Sequence, residues 1–209
     1  MTSSDLLRAD QRLITDLVPR GARVLDLGCG DGTLLERLRD DRGAIVRGVE
    51  IDLGDIARCI ERDVPVYQGD LDEGLADIPD GRFDVVVLSQ TLQVVKRPSL
   101  VLKEMLRVGK RGVVSFPNFG HWRIRAHLLF RGRMPVSEAI PYTWYDTPNI
   151  HHTTITDFRE FCAANGAIVE QEICFVGRSG GRARIARTWP NLLADEAVFV
   201  LRRADSTTA

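Results

Sequence analysis

Cysteine is scarce in this chain of 209 residues: there are four, Cys29, Cys59, Cys162 and Cys174, scattered without a CxxC pair. Such spacing excludes a zinc site and a secreted disulfide framework, and it predicts four reduced, mostly buried thiols with no metal centre. Long apolar runs are missing as well. No segment approaches the roughly 20 apolar residues of a membrane span. The opening MTSSDLLRADQRLITDLVPRG mixes Asp and Arg into its apolar residues, which is unlike a signal peptide. A soluble, cytoplasmic protein is expected. Excess charge of either sign is also absent: 28 Lys+Arg stand against 29 Asp+Glu, for a net charge of -1. No global field gathers nucleic acid or an anionic membrane. The one arginine-rich loop, GRSGGRARIARTWPN from Gly177 to Asn191, has Arg178, Arg182, Arg184 and Arg187 but a single aromatic, Trp189, so nucleic-acid binding is not expected there.

What is present is a 44% hydrophobic composition, enough for one good core and one domain over 1–209. Apolar β-branched runs alternate with segments of helical period. Strands are predicted at Val24–Leu27, Ile45–Glu50, Pro65–Gln68, Phe83–Ser89, Gly112–Phe116, Ala167–Val176 and Ala197–Arg202. FDVVVLS, apolar on both faces, reads as the centre of a parallel sheet covered on both sides. Helices are expected at Asp5–Val18, around Leu34, Leu35 and Leu38 before Gly43, at Gly54–Arg62, and from Pro98 to Val108 before Gly109. A last one begins at Thr156, as its cap, and ends at Asn165-Gly166. The alternation predicts a Rossmann-like, doubly wound α/β fold with a mostly parallel seven-stranded sheet and helices on both faces. Residues 117–154 break the rhythm. They are too long for a simple connection and rich in Trp, Tyr, His, Arg and Pro, as in an inserted lid or docking surface. Within them, Arg123, Arg125, Arg131 and Arg133 with Trp122, Ile124 and Leu128 make either a basic, apolar docking helix or a solvated lid helix.

VLDLGCGDG, Val24 to Gly32, lies where an open α/β sheet receives its ligand, beyond the carboxyl end of the first strand. Its spacing is GxGxG, through Gly28, Gly30 and Gly32. A dinucleotide fingerprint needs a glycine where this chain has Thr33. Asp31 adds a carboxylate that repels a pyrophosphate. A ligand with an amine or sulfonium and no phosphate suits these charges, and S-adenosylmethionine (SAM) or S-adenosylhomocysteine (SAH) fits. Asp26 can then face the ammonium and helix-terminal amides the carboxylate. Glu50, at the end of the second strand, is placed to accept both ribose hydroxyls. Asp70 is placed for the adenine amino group, with Ile51 and Leu71 against the ring, and Ser89 and Gln90 beside the methionine part. Plainer roles stay open: Asp26 can tie its own loop amides, Glu50 can be a surface carboxylate, and Asp70 can belong to a simple acidic turn. Cys29 reads as a small packing residue.

This series resembles the class I SAM-dependent methyltransferases. More narrowly, VLDLGCGDG, RGVEID, QGDLDEGL, LSQTLQ, SFPNFGHWRIR, RGRMP and YDTPNIHHTTI resemble the MetW family of methionine biosynthesis proteins, up to about Val176. That resemblance implies a partner, homoserine O-acyltransferase, whose activity the family is thought to support; it implies a binding or regulatory role as readily as methyl transfer. In many small-molecule methyltransferases of this fold an acid and a histidine stand near the end of the fourth strand, where this chain has Gln90 and Val94. Without them, no catalytic residue is assigned. His121, His151 and His152 of the insertion remain as contacts for substrate or cofactor, or as structural histidines. The short N-terminal cover leaves the insertion, or another protein, to close the pocket. Neither the oligomeric state nor a methyl acceptor follows from the residues.

Overall fold

Strand β1 (Arg23–Leu27) is the axis from which the sheet is ordered in both directions. The computed structural model describes residues 8–137, 140–177 and 183–204. Its elements run α1 (Ala9–Leu17), β1, α2 (Thr33–Arg42), β2 (Ile45–Glu50), α3 (Leu53–Glu61), β3 (Val66–Gln68), a 3-10 turn (Leu71–Glu73), β4 (Phe83–Ser89), α4 (Pro98–Val108) and β5 (Gly109–Pro117). Then follow α5 (Trp122–Arg131), α6 (Ile155–Ala164), β6 (Ala167–Val176), β7 (Arg184–Ile185), α7 (Pro190–Leu193) and β8 (Glu196–Arg203). The sheet order is β3-β2-β1-β4-β5-β8-β6-β7. β1 to β5 pair in parallel, while β8 is antiparallel to both β5 and β6. Strand order reverses between β1 and β4, which places a ligand crevice at their carboxyl ends.

Alternation along the central strands builds a core on each face. Leu25 and Leu27 of β1 join Val86, Leu88, Met105, Phe116, Phe158 and Phe199 on one side. Val24 joins Val85, Val87, Leu35, Leu38 and Ile14 on the other. Phe158 is the keystone of the first core, its ring centroid 4.7 Å from Phe116 and 4.8 Å from Phe199. All seven expected strands are found. The eighth, β7, is two residues long and pairs with Phe175 and Val176 at the sheet edge, too short to show a period in sequence.

Some boundaries differ. β5 starts at Gly109, because the backbone leaves α4 directly into the strand and a side chain there would meet Val86 and the Met105 carbonyl. α6 is capped by Thr154, not Thr156: Thr154 Oγ1 accepts from the Asp157 amide at 3.2 Å and Asp157 returns a bond to the Thr154 amide at 3.3 Å. Of the expected first helix, Asp5 to Leu7 lie outside the described residues, as do Arg178 and Arg182 of the arginine loop. Among the described residues no helix is long and apolar enough to cross a membrane, and no group of His, Cys, Asp and Glu suits a metal ion.

The segment between β5 and α6 is anchored by a buried amide. Asn118 Nδ2 donates to the carbonyls of Asn191 (3.1 Å) and Ala194 (2.8 Å), and its Oδ1 accepts from the amides of Gly120 (3.0 Å) and Ile155 (3.3 Å). One side chain thus joins the start of the insertion, the start of α6 and the α7 segment. His121 caps α5 through Nδ1, which accepts from the Arg123 amide at 3.3 Å, while Nε2 lies 3.3 Å from Asp195. Burial holds its pKa below the usual histidine value against the pull of Asp195. His121 is therefore a structural cap.

Candidate functional site

The loop after β1 turns on three glycines in the left-handed region, Gly28 (φ +73°), Gly30 (φ +53°) and Gly32 (φ +78°). Gly32 caps α2. At Gly28 close approach adds to the backbone demand: a Cβ would lie 2.6 Å from Cγ2 and 2.8 Å from Oγ1 of Thr91, which is buried beneath the loop. Left-handed strain of about 1–2 kcal/mol and overpacking of about 1–3 kcal/mol give Gly28→Ala an expected loss of roughly 2–4 kcal/mol. Adding Thr91→Ser, which removes Cγ2, is expected to recover about 1 kcal/mol. Urea melts of the two single variants and the double variant measure that coupling; strict additivity would place the contact elsewhere.

Asp26, the fourth residue of β1, lies 2% exposed beneath this loop. No partner reaches its Oδ1 among the described residues. Burial raises its pKa to about 7, with Glu50 and Asp10 adding to the rise and Arg8 opposing it. A buried, orphaned carboxylate oxygen at a strand-order reversal is an incomplete arrangement, and a cationic donor completes it. Asp26 makes no bond to the loop amides. That task falls to Glu50, whose Oε2 accepts from the Gly30 amide at 2.9 Å and whose Oε1 accepts from Ile51 (2.7 Å) and Asp52 (3.0 Å). With about four lone-pair positions on a carboxylate, one on Oε2 stays open toward the crevice.

Asp31 is held within the loop. Its carboxylate accepts from the Thr33 amide (3.1 Å) and hydroxyl (2.8 Å) and pairs with Arg62 at 3.2 Å, so its charge is answered locally. Asp70 caps the 3-10 turn through Oδ1, 2.9 Å from the Asp72 amide. Leu71 is buried and Ile51 is exposed, so of these two Ile51 offers the free apolar surface.

Sequence reasoning missed the group at the other end of the crevice. Asp10, fully buried in the first turn of α1, accepts from Arg8 Nε (3.1 Å) and Nη2 (3.3 Å), from Ser89 Oγ (2.9 Å) and from Ser115 Oγ (2.8 Å). Arg8 Nη2 also donates to Ser89 Oγ at 2.8 Å. Ser89 is thereby tied to α1. Gln90, at φ +56°, is held by its amide on the Ser115 carbonyl (3.0 Å), by Nε2 on Glu196 (3.1 Å) and by Oε1, which accepts from Gln93 (3.2 Å). A non-glycine residue in the left-handed region marks local strain of about 1–3 kcal/mol. The only signal in sequence was an acid and an arginine within an otherwise amphipathic first helix; the serine partners of Asp10 lie 79 and 105 positions away, and that of Arg8 81.

Of the histidines, His152 packs edge-on against Phe119 with centroids 4.6 Å apart. The Gln93 carbonyl accepts from the amides of Ile150 (2.8 Å) and His151 (3.1 Å), which fixes His151 beside the end of β4, and its buried Nε2 has no partner among the described residues. All four cysteines are free and buried; Cys29 and Cys59 approach to 3.8 Å between their sulfurs. Burial pushes the Cys29 thiol far up, so it packs the loop and does not act as a nucleophile.

The sheet order, the three-glycine turn and the acids at the ends of β1 and β2 form a frame known in other proteins. A family model described as methionine biosynthesis protein MetW matches residues 8–201, nearly the whole chain. The chain belongs to the MetW family. A bifunctional methionine biosynthesis protein MetXA/MetW of Rhodopirellula baltica is 34% identical over 206 residues, 94% of this chain and 33% of that protein. This MetW-family chain thus spans about a third of that relative's length. Among solved structures, a SAM-dependent methyltransferase from Thermotoga maritima superposes with a TM-score of 0.70 at 16% identity, covering 93% of this chain and 87% of that one. Magnesium protoporphyrin IX methyltransferase from Synechocystis, with bound SAH, gives 0.60 at 18% identity, covering 93% and 80%. The chain described here is therefore a MetW-family protein with the fold of the SAM-dependent methyltransferases.

Proposed function

We propose that the chain binds SAM or SAH in the crevice over β1 and acts as an accessory partner of homoserine O-acyltransferase in methionine biosynthesis. The orphaned, buried oxygen of Asp26 carries the ligand assignment: it suits the ligand's ammonium. Glu50 Oε2 then takes a ribose hydroxyl, Asp70 and Ile51 border the adenine, and Gly28, Gly30 and Gly32 let the ligand lie against bare backbone. Arg8 stands near Asp26, and its charge joins the α2 amides in suiting the ligand carboxylate. A cation beside a buried acid suits the two charges of an amino-acid zwitterion.

The end of β4 supports the accessory role. Gln90 has both ends of its amide engaged, and neither it nor Val94 can move a proton. The joining of MetXA and MetW in one Rhodopirellula protein agrees with a working association. Calorimetric titration with SAM, SAH and NAD tests the ligand, with micromolar binding of the first two and none of NAD expected. Acyltransferase assays with and without the chain test the partnership; activation is expected, and no complex and no effect at micromolar concentrations would remove it.

The unpartnered Nε2 of His151 favours one other reading, a methyltransferase for an unidentified small molecule with His151 as base. Label transferred from SAM to a component of cell extract, and lost with His151→Ala, would support that reading over the accessory one.

A further inference from the structure

The outer side of α5 and the turn that follows it combine two features that a solvated surface rarely holds together. Leu129 is 77% exposed and Phe130 81%, and beside them His127, Arg131, Arg133, Met134 and Val136 line a groove of about 560 Å³. Ile124 and Leu128 face inward, so the apolar content of the outer face comes from residues that nothing in the fold requires. Contiguous exposed apolar side chains beside arginine and methionine are the composition of a protein interface.

The charges are one-sided. Residues 117–137 contain four arginines and no acidic residue. Several arginines elsewhere are matched on the fold itself, as in Arg23–Asp84, Arg62–Glu36, Arg107–Glu104 and Arg159–Glu172. Arg123, Arg131 and Arg133 form no ion pair among the described residues; Arg123 lies over the Trp122 ring at 5.4 Å. A second copy of the chain is a poor occupant, because a two-fold contact through this face would set arginine against arginine. The occupant must bring acids around an apolar socket.

Resting on the accessory reading above, we propose that this face of α5 docks an acidic, apolar-centred surface of homoserine O-acyltransferase, with Leu129 and Phe130 as anchors and Arg131 and Arg133 as the charged rim. Anchors in a desolvated centre carry most of the affinity, and rim charges set the approach rate and the salt dependence.

The test uses the purified acyltransferase of the same organism against the full chain, Leu129→Ser/Phe130→Ser and Arg131→Glu/Arg133→Glu, by calorimetry at two salt concentrations. The apolar pair is expected to weaken binding by about 100-fold and the charge pair by about 30-fold, the latter loss shrinking as salt rises from 50 to 500 mM. Both variants should keep their thermal midpoint and their SAH affinity, since the substituted side chains are exposed and lie outside the crevice. If the variants bind the acyltransferase within two-fold of the unsubstituted chain, this surface is wrong and the partnership stands. If the unsubstituted chain does not bind it at micromolar concentrations, both fall. Self-association in sedimentation that the variants abolish would make the face a self-interface and overturn the proposal.

Discussion

Asp26→Asn is expected to weaken SAM binding by roughly 10- to 150-fold while making the ligand-free chain more stable at pH 8. The first part follows from losing a charge-assisted bond worth about 1.5–3 kcal/mol. The second follows from burial, which lifts the Asp26 pKa to about 7 from an ordinary aspartate value near 3.8. Between those two values the folded chain keeps a proton that the unfolded chain has released, so this group's contribution to stability falls as pH rises and levels off above 7. The full displacement corresponds to about 4 kcal/mol. Asn carries no charge, and the gain at pH 8 is expected to be about 2–4 kcal/mol, vanishing near pH 4. For the unsubstituted chain, ligand binding must ionise Asp26, so affinity rises between pH 5 and 7. Urea melts and calorimetry of both proteins across pH 5 to 8 check the two signs together; an Asn variant that is less stable at pH 8, or binds SAM equally well, rules out a lone buried carboxylate waiting for a cation.

Asp10→Ala is expected to cost the fold about 2–4 kcal/mol. Breaking a buried ion pair from one side costs about 3–5 kcal/mol, but the Arg8 side chain is half exposed and regains water, which trims the loss. Ser89 and Ser115 do not escape: both hydroxyls lose an ionised acceptor. Burial alone would raise the Asp10 pKa, yet the Arg8 charge, its hydrogen bonds and the two serines hold it below the ordinary value. This stabilisation is present above the unfolded aspartate range and disappears as pH falls through and below it, so the penalty of the substitution shrinks in acid. Urea melts at pH 7 and pH 3.5 measure the difference. SAM affinity is expected to drop too, because Arg8 loses its mooring over the crevice. A substitution without effect on either would mean that α1 does not organise that end of the site.

The sheet was legible because its strands are apolar on both faces, as Phe83–Ser89 shows, and because Gly28, Gly30 and Gly32 are required by backbone angles that a sequence pattern registers directly. Asp26 and Glu50 stood out by their places at strand ends, although the loop-tying task belongs to Glu50 rather than to Asp26. What stayed hidden depends on tertiary partners. Asp31 looks like free charge until Arg62 is seen beside it, and nothing near Ser89 in the sequence announces its bond to α1. Arg8 and Asp10 carry no motif at all. Likewise the PNFGHW stretch, distinctive enough to mark the family resemblance, proves to be a clamp built on Asn118 and His121. Helical spacing named the arginines of α5 correctly, but exposure assigned the apolar outer face to Leu129 and Phe130, with Ile124 turned inward.

The reversed position of β8 has a consequence for synthesis. β8 fills the gap between β5 and β6 but follows both in the chain. When Val176 of β6 has been made, a further 27 residues, 177 to 203, must be added before β8 is complete. At roughly 5–20 residues per second this is a delay of about 1–5 s. Throughout it β5, completed long before, still lacks its β8 neighbour and keeps an unpaired backbone edge, so the last strand is the gate through which this fold passes from nascent to finished.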